Sequence, residues 1–199
     1  YLEGTGQSAK GLVDFLNLLL DQELLSTNYQ DPYVRTHPLS RQRIDLINNH
    51  LAKSRYSNTP TTKTFEILHD RMRAKLAGFL QSTVRTLRQY PKKDQSLQAR
   101  YARAIAYYKR PQLDRALTII ERLISEHPND PFFHELRGQM LFENGRIGDA
   151  LPSYERAAQL LPASAILKGD LARVQLAVGK PRSISQATVN FRAALRREP

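Results

Sequence analysis

LQARYARAIAYYKRPQLDRALTIIERLISEHPND at residues 97–130 and PFFHELRGQMLFENGRIGDALPSYERAAQLLPAS at residues 131–164 are two copies of one pattern, and their alignment decides the fold. At a step of 34 residues, small side chains recur at Ala104 and Gly138, with Ala172 one step further on. Turn formers recur at Pro111, Gly145 and Gly179, small residues again at Ala116 and Ala150, and prolines at Pro128 and Pro162. In the third copy the matching Ala187 and Pro199 come three residues late, which predicts an inserted, lengthened turn at Gly179-Lys180-Pro181-Arg182-Ser183. Each copy predicts two antiparallel helices: 97–109 with 112–125, 131–144 with 147–160, and 165–178 with 184–197. One such pair cannot bury its apolar side, so successive pairs must stack. The small residues fall where two helices cross too closely for a branched side chain. Tyr107, Ile120, Leu123, Leu141, Tyr154 and Phe191 are the expected filling between layers.

This punctuation resembles the tetratricopeptide repeat, a helical hairpin that stacks into a solenoid and offers a surface to proteins. The fold expected is therefore all-α, with N-terminal helices followed by about three such repeats. Two departures stand out. The tryptophan usual near the start of each unit is replaced by Arg100, His134 and Lys168, and Tyr101 and Ile105 occupy places where peptide-binding members clamp a C-terminal carboxylate. Binding of chaperone tails is accordingly not expected. Positions on the first helix of each unit nominate Tyr101, Tyr108, Gln139, Phe142 and Arg173 as a binding groove.

Upstream of the repeats, Phe65, Leu68, Met72, Leu76 and Phe79 recur at steps of three and four, which predicts a core-facing helix with a kink near Gly78 to Ser82. Before it lie a polar connector at 57–62 and a helix from Arg41 to about Ser54, capped by Ser40 and buried through Ile44, Ile47 and Leu51. Residues 26–40 read as a loop. A first helix from about Ser8 to Leu25 is expected to turn Leu12, Phe15, Leu16 and Leu19 inward. The organisation expected is thus 1–60, a linking amphipathic helix in 61–96, and repeats in 97–199.

Composition narrows the chemistry. There are no cysteines, so disulfides, thiolate metal sites and cysteine nucleophiles are excluded. No apolar run reaches the length of a membrane span. Net charge is +11, and residues 63–110 hold twelve Lys or Arg against three acids, an excess of nine. That basic middle is read as solvated helix faces rather than a nucleic-acid site, and proteins are the partners expected. Neither a G-x-S-x-G, a phosphate-cradling glycine loop nor an H-E-x-x-H occurs. His50, His69 and His127 are expected to be surface or capping residues. Tyr1-Leu-Glu-Gly-Thr-Gly reads as the tail of a helix running into a turn, so the chain is expected to be a piece of a longer protein.

Thr36-His37-Pro38-Leu39-Ser40-Arg41-Gln42-Arg43-Ile44 resembles the S/T-H-P-x-x-x-x-R-I stretch of bacterial gluzincin zinc metallopeptidases of the BepA and HtpX type. Residues 1–8 with the Leu/Phe-rich helix after them are similar to the region following the third zinc ligand, and BepA-like members carry tetratricopeptide repeats next. The resemblance implies a zinc-dependent peptidase as the parent protein, located in the bacterial periplasm or cell envelope and active in protein quality control. It implies that His37 approaches the zinc as a regulatory ligand, that Arg43 lines the same cleft, and that residues 1–60 close a peptidase-like domain on which the repeats dock. The catalytic motif and the zinc would belong to the intact parent, leaving this chain non-catalytic alone and without a cofactor. The alternative is a free-standing repeat adaptor with no enzymatic parent.

Overall fold

The computed structural model describes residues 1–25 and 41–196, and all regular structure among them is helical. After a 3-10 turn at Glu3–Thr5 come α1 (Lys10–Leu25), α2 (Arg41–Lys53), α3 (Lys63–Leu80) and α4 (Thr83–Gln89). The repeats supply α5 (Leu97–Lys109), α6 (Leu113–Glu126), α7 (Pro131–Glu143), α8 (Ile147–Leu160), α9 (Ala165–Val178) and α10 (Pro181–Leu195). The chain divides into two compact units, Tyr1–Ile67 and Leu68–Pro199. No helix among the described residues is long and apolar enough to cross a membrane.

In the second unit α5/α6, α7/α8 and α9/α10 pair as hairpins, and α6 with α7 and α8 with α9 join each hairpin to the next. This is a tetratricopeptide-type helical-hairpin solenoid. Its first helices begin at residues 97, 131 and 165 and its second helices at 113, 147 and 181, so both series keep the 34-residue step. The caps keep it too: the side chains of Ser96, Asp130 and Ser164 accept from the N–H groups of Ala99, Phe132 and Leu167, each satisfying an orphan donor of a first turn. Gly145 and Gly179 turn the chain with φ of +76° and +71°, where a side chain would be strained.

The in-register start of α10 corrects the expected insertion. The turn is not lengthened, because Pro181 opens the helix at a position that has no use for an N–H. The three extra residues instead carry the buried alanine one turn deeper: Ala187 is buried, and Ile184, which matches Ala116 and Ala150, is exposed. Between layers Ile120, Leu123, Phe133, Leu136, Met140, Leu141 and Val174 have essentially no exposure. Gly138 lets Tyr154 fill its hairpin, since a Cβ there would stand 2.7 Å from the ring. Phe191, an expected interlayer residue, is instead exposed on α10.

A second correction concerns α3. The stripe Phe65, Leu68, Met72 and Leu76 is about half exposed, and Phe79 alone of that series packs against the core. What α3 buries is the opposite, small side, Ala74, Ala77 and Gly78. A Cβ at Gly78 would lie 2.8 Å from that of Ile105 on α5, so this side permits a backbone approach that leucines would block. The expected kink is a full break: α3 ends at Leu80, Ser82 caps α4, and the buried Thr86 hydroxyl donates to the carbonyl of Ala77 at 2.8 Å.

In the N-terminal unit α1 packs with α2. Ala9, Val13 and Ile44 are buried there, Ile47 and Leu51 half-buried. Leu12 and Phe15 are exposed rather than inward, because the buried line of α1 runs through Ala9, Val13 and Leu16. Helix α1 begins at Lys10, and Ser8 ties its entrance to the connector by donating to the carbonyl of Ser57 at 2.6 Å. The expected loop at 26–40, with His37 and the cap Ser40, lies outside the described residues.

Candidate docking face

Side chains of successive first helices meet one another, and α3 approaches the first of these helices at Gly78 and Ile105. Tyr101 on α5 meets Phe133 on α7 edge to face at 5.4 Å. Over this pair sits Arg71 of α3, its guanidinium 4.4 Å from the Phe133 ring, 5.4 Å from Phe132 and 5.5 Å from Tyr101. Arg71 forks onto the carboxylate of Asp130, with Nη2 to Oδ1 at 2.7 Å. Asp130 thereby serves both as cap of α7 and as anchor for α3. One turn on, Lys75 pairs with Glu135 at 3.3 Å and lies 5.8 Å from the Phe132 ring. Charge-assisted, ring-backed contacts of this kind are strong for their size.

Farther along, carboxylates and cations alternate. Burial raises Glu135 above the usual carboxylate range, with Lys75 opposing. Burial likewise raises Asp170 on α9, opposed by Arg173, which it meets at 3.3 Å, and by Lys75. Two partly buried carboxylates thus share the field of Lys75 without either being fully relieved.

Four of the five nominated groove residues come together in two clusters. The Tyr108 hydroxyl donates to the Glu143 carboxylate, which also accepts from Gln139 Nε2 at 2.9 Å. These residues line a 460 Å³ depression together with Phe79, Lys109 and Asn144. Lys109 closes one side of it by donating to the carbonyls of Phe79 and Gln81 at 2.6 and 3.0 Å. Phe142 is half-buried, with the exposed Arg173 guanidinium 5.2 Å from its ring. The fifth residue, Tyr101, is 1% exposed and lies under the face, its hydroxyl buried without a hydrogen-bond partner and its ionisation suppressed chiefly by burial.

Sequence reasoning missed Arg71, Lys75, Glu135, Glu143 and Asp170. The available signal was the Arg71/Lys75 spacing of four, which sets both cations on one side of α3; their partners lie 59 and 60 residues away. Of the remaining candidates, Arg43 is exposed on α2, and His50, at 3.4 Å from Glu3, is likewise exposed, as are His69 and His127. Among the described residues no group of three or more His, Asp or Glu is placed to hold a metal ion.

A tetratricopeptide repeat family profile matches residues 85–131 and 101–165. A solved structure titled "MamA MSR-1 C2" aligns over 68% of this chain and 95% of its own, at 17% identity and a TM-score of 0.29. Repeats of this class serve protein–protein interaction.

Proposed function

We propose that the hairpin stack is a protein-docking scaffold and that its contact surface is the first-helix face. The observation that carries the reading is the placement of Tyr108, Gln139, Phe142 and Arg173 on the first helices of three successive hairpins, with Tyr108 and Phe142 packed against the core. Aromatic and arginine side chains held this way supply large contact areas at small entropic cost, and they dominate binding energy at protein interfaces. Gln139 and Glu143 add a donor and acceptors suited to a peptide backbone. A library of unstructured peptides displayed against the chain tests this. Selected binders should be lost with Phe142→Ala plus Arg173→Ala and retained with Arg182→Ala on α10; the reverse pattern would move docking off this face.

A second reading is favoured by the segment Thr36 to Ile44 and the order of what flanks it. In it the parent protein is a zinc metallopeptidase of the bacterial periplasm or envelope, and the repeats dock on its own catalytic domain and select protein substrates. Zinc in the parent would supply Lewis acidity and an activated water. His37 would be its regulatory ligand and Arg43 a lining residue of the cleft. The half-exposed stripe Leu68, Met72 and Leu76 is a surface that a folded neighbour would cover. The complete reading frame tests this reading through its zinc content and cleavage of an unfolded protein, with His37→Ala alongside. A zinc-free, inactive product leaves the adaptor reading alone, and an active enzyme unchanged by His37→Ala removes the regulatory role.

A further inference from the structure

The hairpin α5/α6 carries a second feature that the docking face does not use. On the side where α5 meets α6 and the chain arriving from α4, a depression of 270 Å³ is floored by Tyr107 and Ile119 and ringed by Lys92, Arg100, Arg103 and Arg122. None of its lining residues is a carboxylate.

The cations around it are under-neutralised. Glu126, just outside, serves two guanidiniums at once: Arg100 in a fork at 2.7 and 2.6 Å, and Arg122 Nε at 3.2 Å. That double attraction, with the Arg100 hydrogen bonds leading, holds the Glu126 carboxyl down at about 2. Arg103 is 4% exposed and donates through Nη1 to the carbonyls of Pro91 and Asp94 at 2.8 and 2.7 Å, dipoles in place of a countercharge. Asp94 attracts it only at a distance, its carboxylate being engaged by the Ser96 N–H at 2.9 Å. Lys92 stands exposed at the rim. Arg122 engages Glu126 through Nε and is itself exposed at the rim.

We propose that this depression binds an acidic peptide segment of a protein partner, a carboxylate settling among Lys92, Arg100 and Arg122 while an adjoining apolar side chain covers Ile119 and Tyr107. The proposal rests on the protein-docking reading and adds to it a second contact, distinct in position and chemistry. The apolar floor and narrow ring favour a carboxylate beside a hydrophobic residue over a nucleic-acid strand, which needs a longer track of cations along its phosphates. The excess of nine positive charges in residues 63–110 would speed the approach of an acidic partner.

Fluorescence anisotropy on the whole chain tests it, with a labelled peptide that sets Leu and Phe among Asp and Glu. Controls are the Asn/Gln analogue, an amide-capped form, duplex DNA and inorganic phosphate as competitors. Lys92→Glu with Arg122→Gln changes only exposed side chains without setting a like charge beside Glu126, and should weaken peptide binding about tenfold or more with thermal unfolding nearly unchanged. Phe142→Ala with Arg173→Ala should leave that binding intact, so library-selected binders retained by this variant would fault the first-helix face while sparing this site. Loss of affinity in the Asn/Gln analogue is expected, and the amide-capped arm separates side-chain from terminal carboxylate as its source. Absent binding, equal binding by the rim variant, equal binding by the Asn/Gln analogue, or displacement by phosphate or duplex at comparable concentration would each overturn the proposal.

Discussion

Helix α3 and the first helices of the three hairpins follow the same spacing and obey different packing. Lys63 begins α3 34 residues before Leu97 begins α5, the step that also separates α5 from α7 and α7 from α9. Yet the hairpins hide their bulky residues, among them Ile105, Phe133, Leu136 and Met140, whereas α3 hides Ala74, Ala77 and Gly78 and leaves Leu68, Met72, Leu76 and Leu80 to solvent. The period of the chain sets where a helix begins, and side-chain volume at the crossing decides which side turns in. Where the interface with α5 demands a Cβ-to-backbone approach, the small side wins and hydrophobicity loses. The energy that a leucine seam would have supplied is partly replaced by the Arg71–Asp130 pair.

Substitutions can break or sharpen that contrast. The largest loss belongs to the hairpins: Ile120→Ala removes a fully buried side chain and should cost about 2–5 kcal/mol, read from the urea midpoint. Next comes the small side of α3. Gly78→Ala sets a methyl against Ile105 and should cost about 1–3 kcal/mol although alanine is the better helix former; a stabilised protein would mean that α3 does not rest on α5. Arg71→Ala should cost about 1–2 kcal/mol, by leaving Asp130 without its countercharge and the Phe133 ring uncovered.

A pH series separates the two regions by sign. Glu126 in the first hairpin is held at about 2, below its ordinary 4.5, so its contribution is present above about 4.5 and lost as pH falls through about 2. The stability gap between the wild type and Glu126→Gln should therefore close over that window. Glu135, which clasps α3, is raised by burial, so its contribution is present below the ordinary carboxylate range and lost as pH rises through its folded value. The stability of Glu135→Gln relative to wild type should accordingly improve on raising the pH, opposite in direction to Glu126→Gln. The smallest effect is expected on the exposed stripe, where Met72→Ala should change stability by no more than about 0.5 kcal/mol.

The sequence was most legible where period and volume agree. Hairpin boundaries followed from Ala104, Gly138, Ala116 and Ala150 because every one of them sits at a helix crossing with no exposure left. At α10 the position of Ala187 suggests an insertion that the helix does not have: a displacement of three residues is close to one helical turn, so the buried alanine stays on the inward side. Reading failed at α3 for the reason given above: amphipathicity identifies a stripe but not its partner. Tyr108, Gln139, Phe142 and Arg173 could be nominated from their repeat positions alone. Tyr101 shares a side of α5 with Ile105 and Tyr108, and its burial depends on Arg71 and Phe133, which no local pattern links to it.

The absence of native cysteine permits a direct test of the shared step and the inward small side of α3. Gly78→Cys paired with Ile105→Cys, under mild oxidation, should close a disulfide rapidly and in nearly full yield, since the two Cβ positions stand 2.8 Å apart and need only a small outward shift. Met72→Cys paired with Ile105→Cys should remain reduced. A bridge that forms from Met72 and not from Gly78 would show the leucine side of α3 turned toward α5, and would contradict the packing on which this account stands.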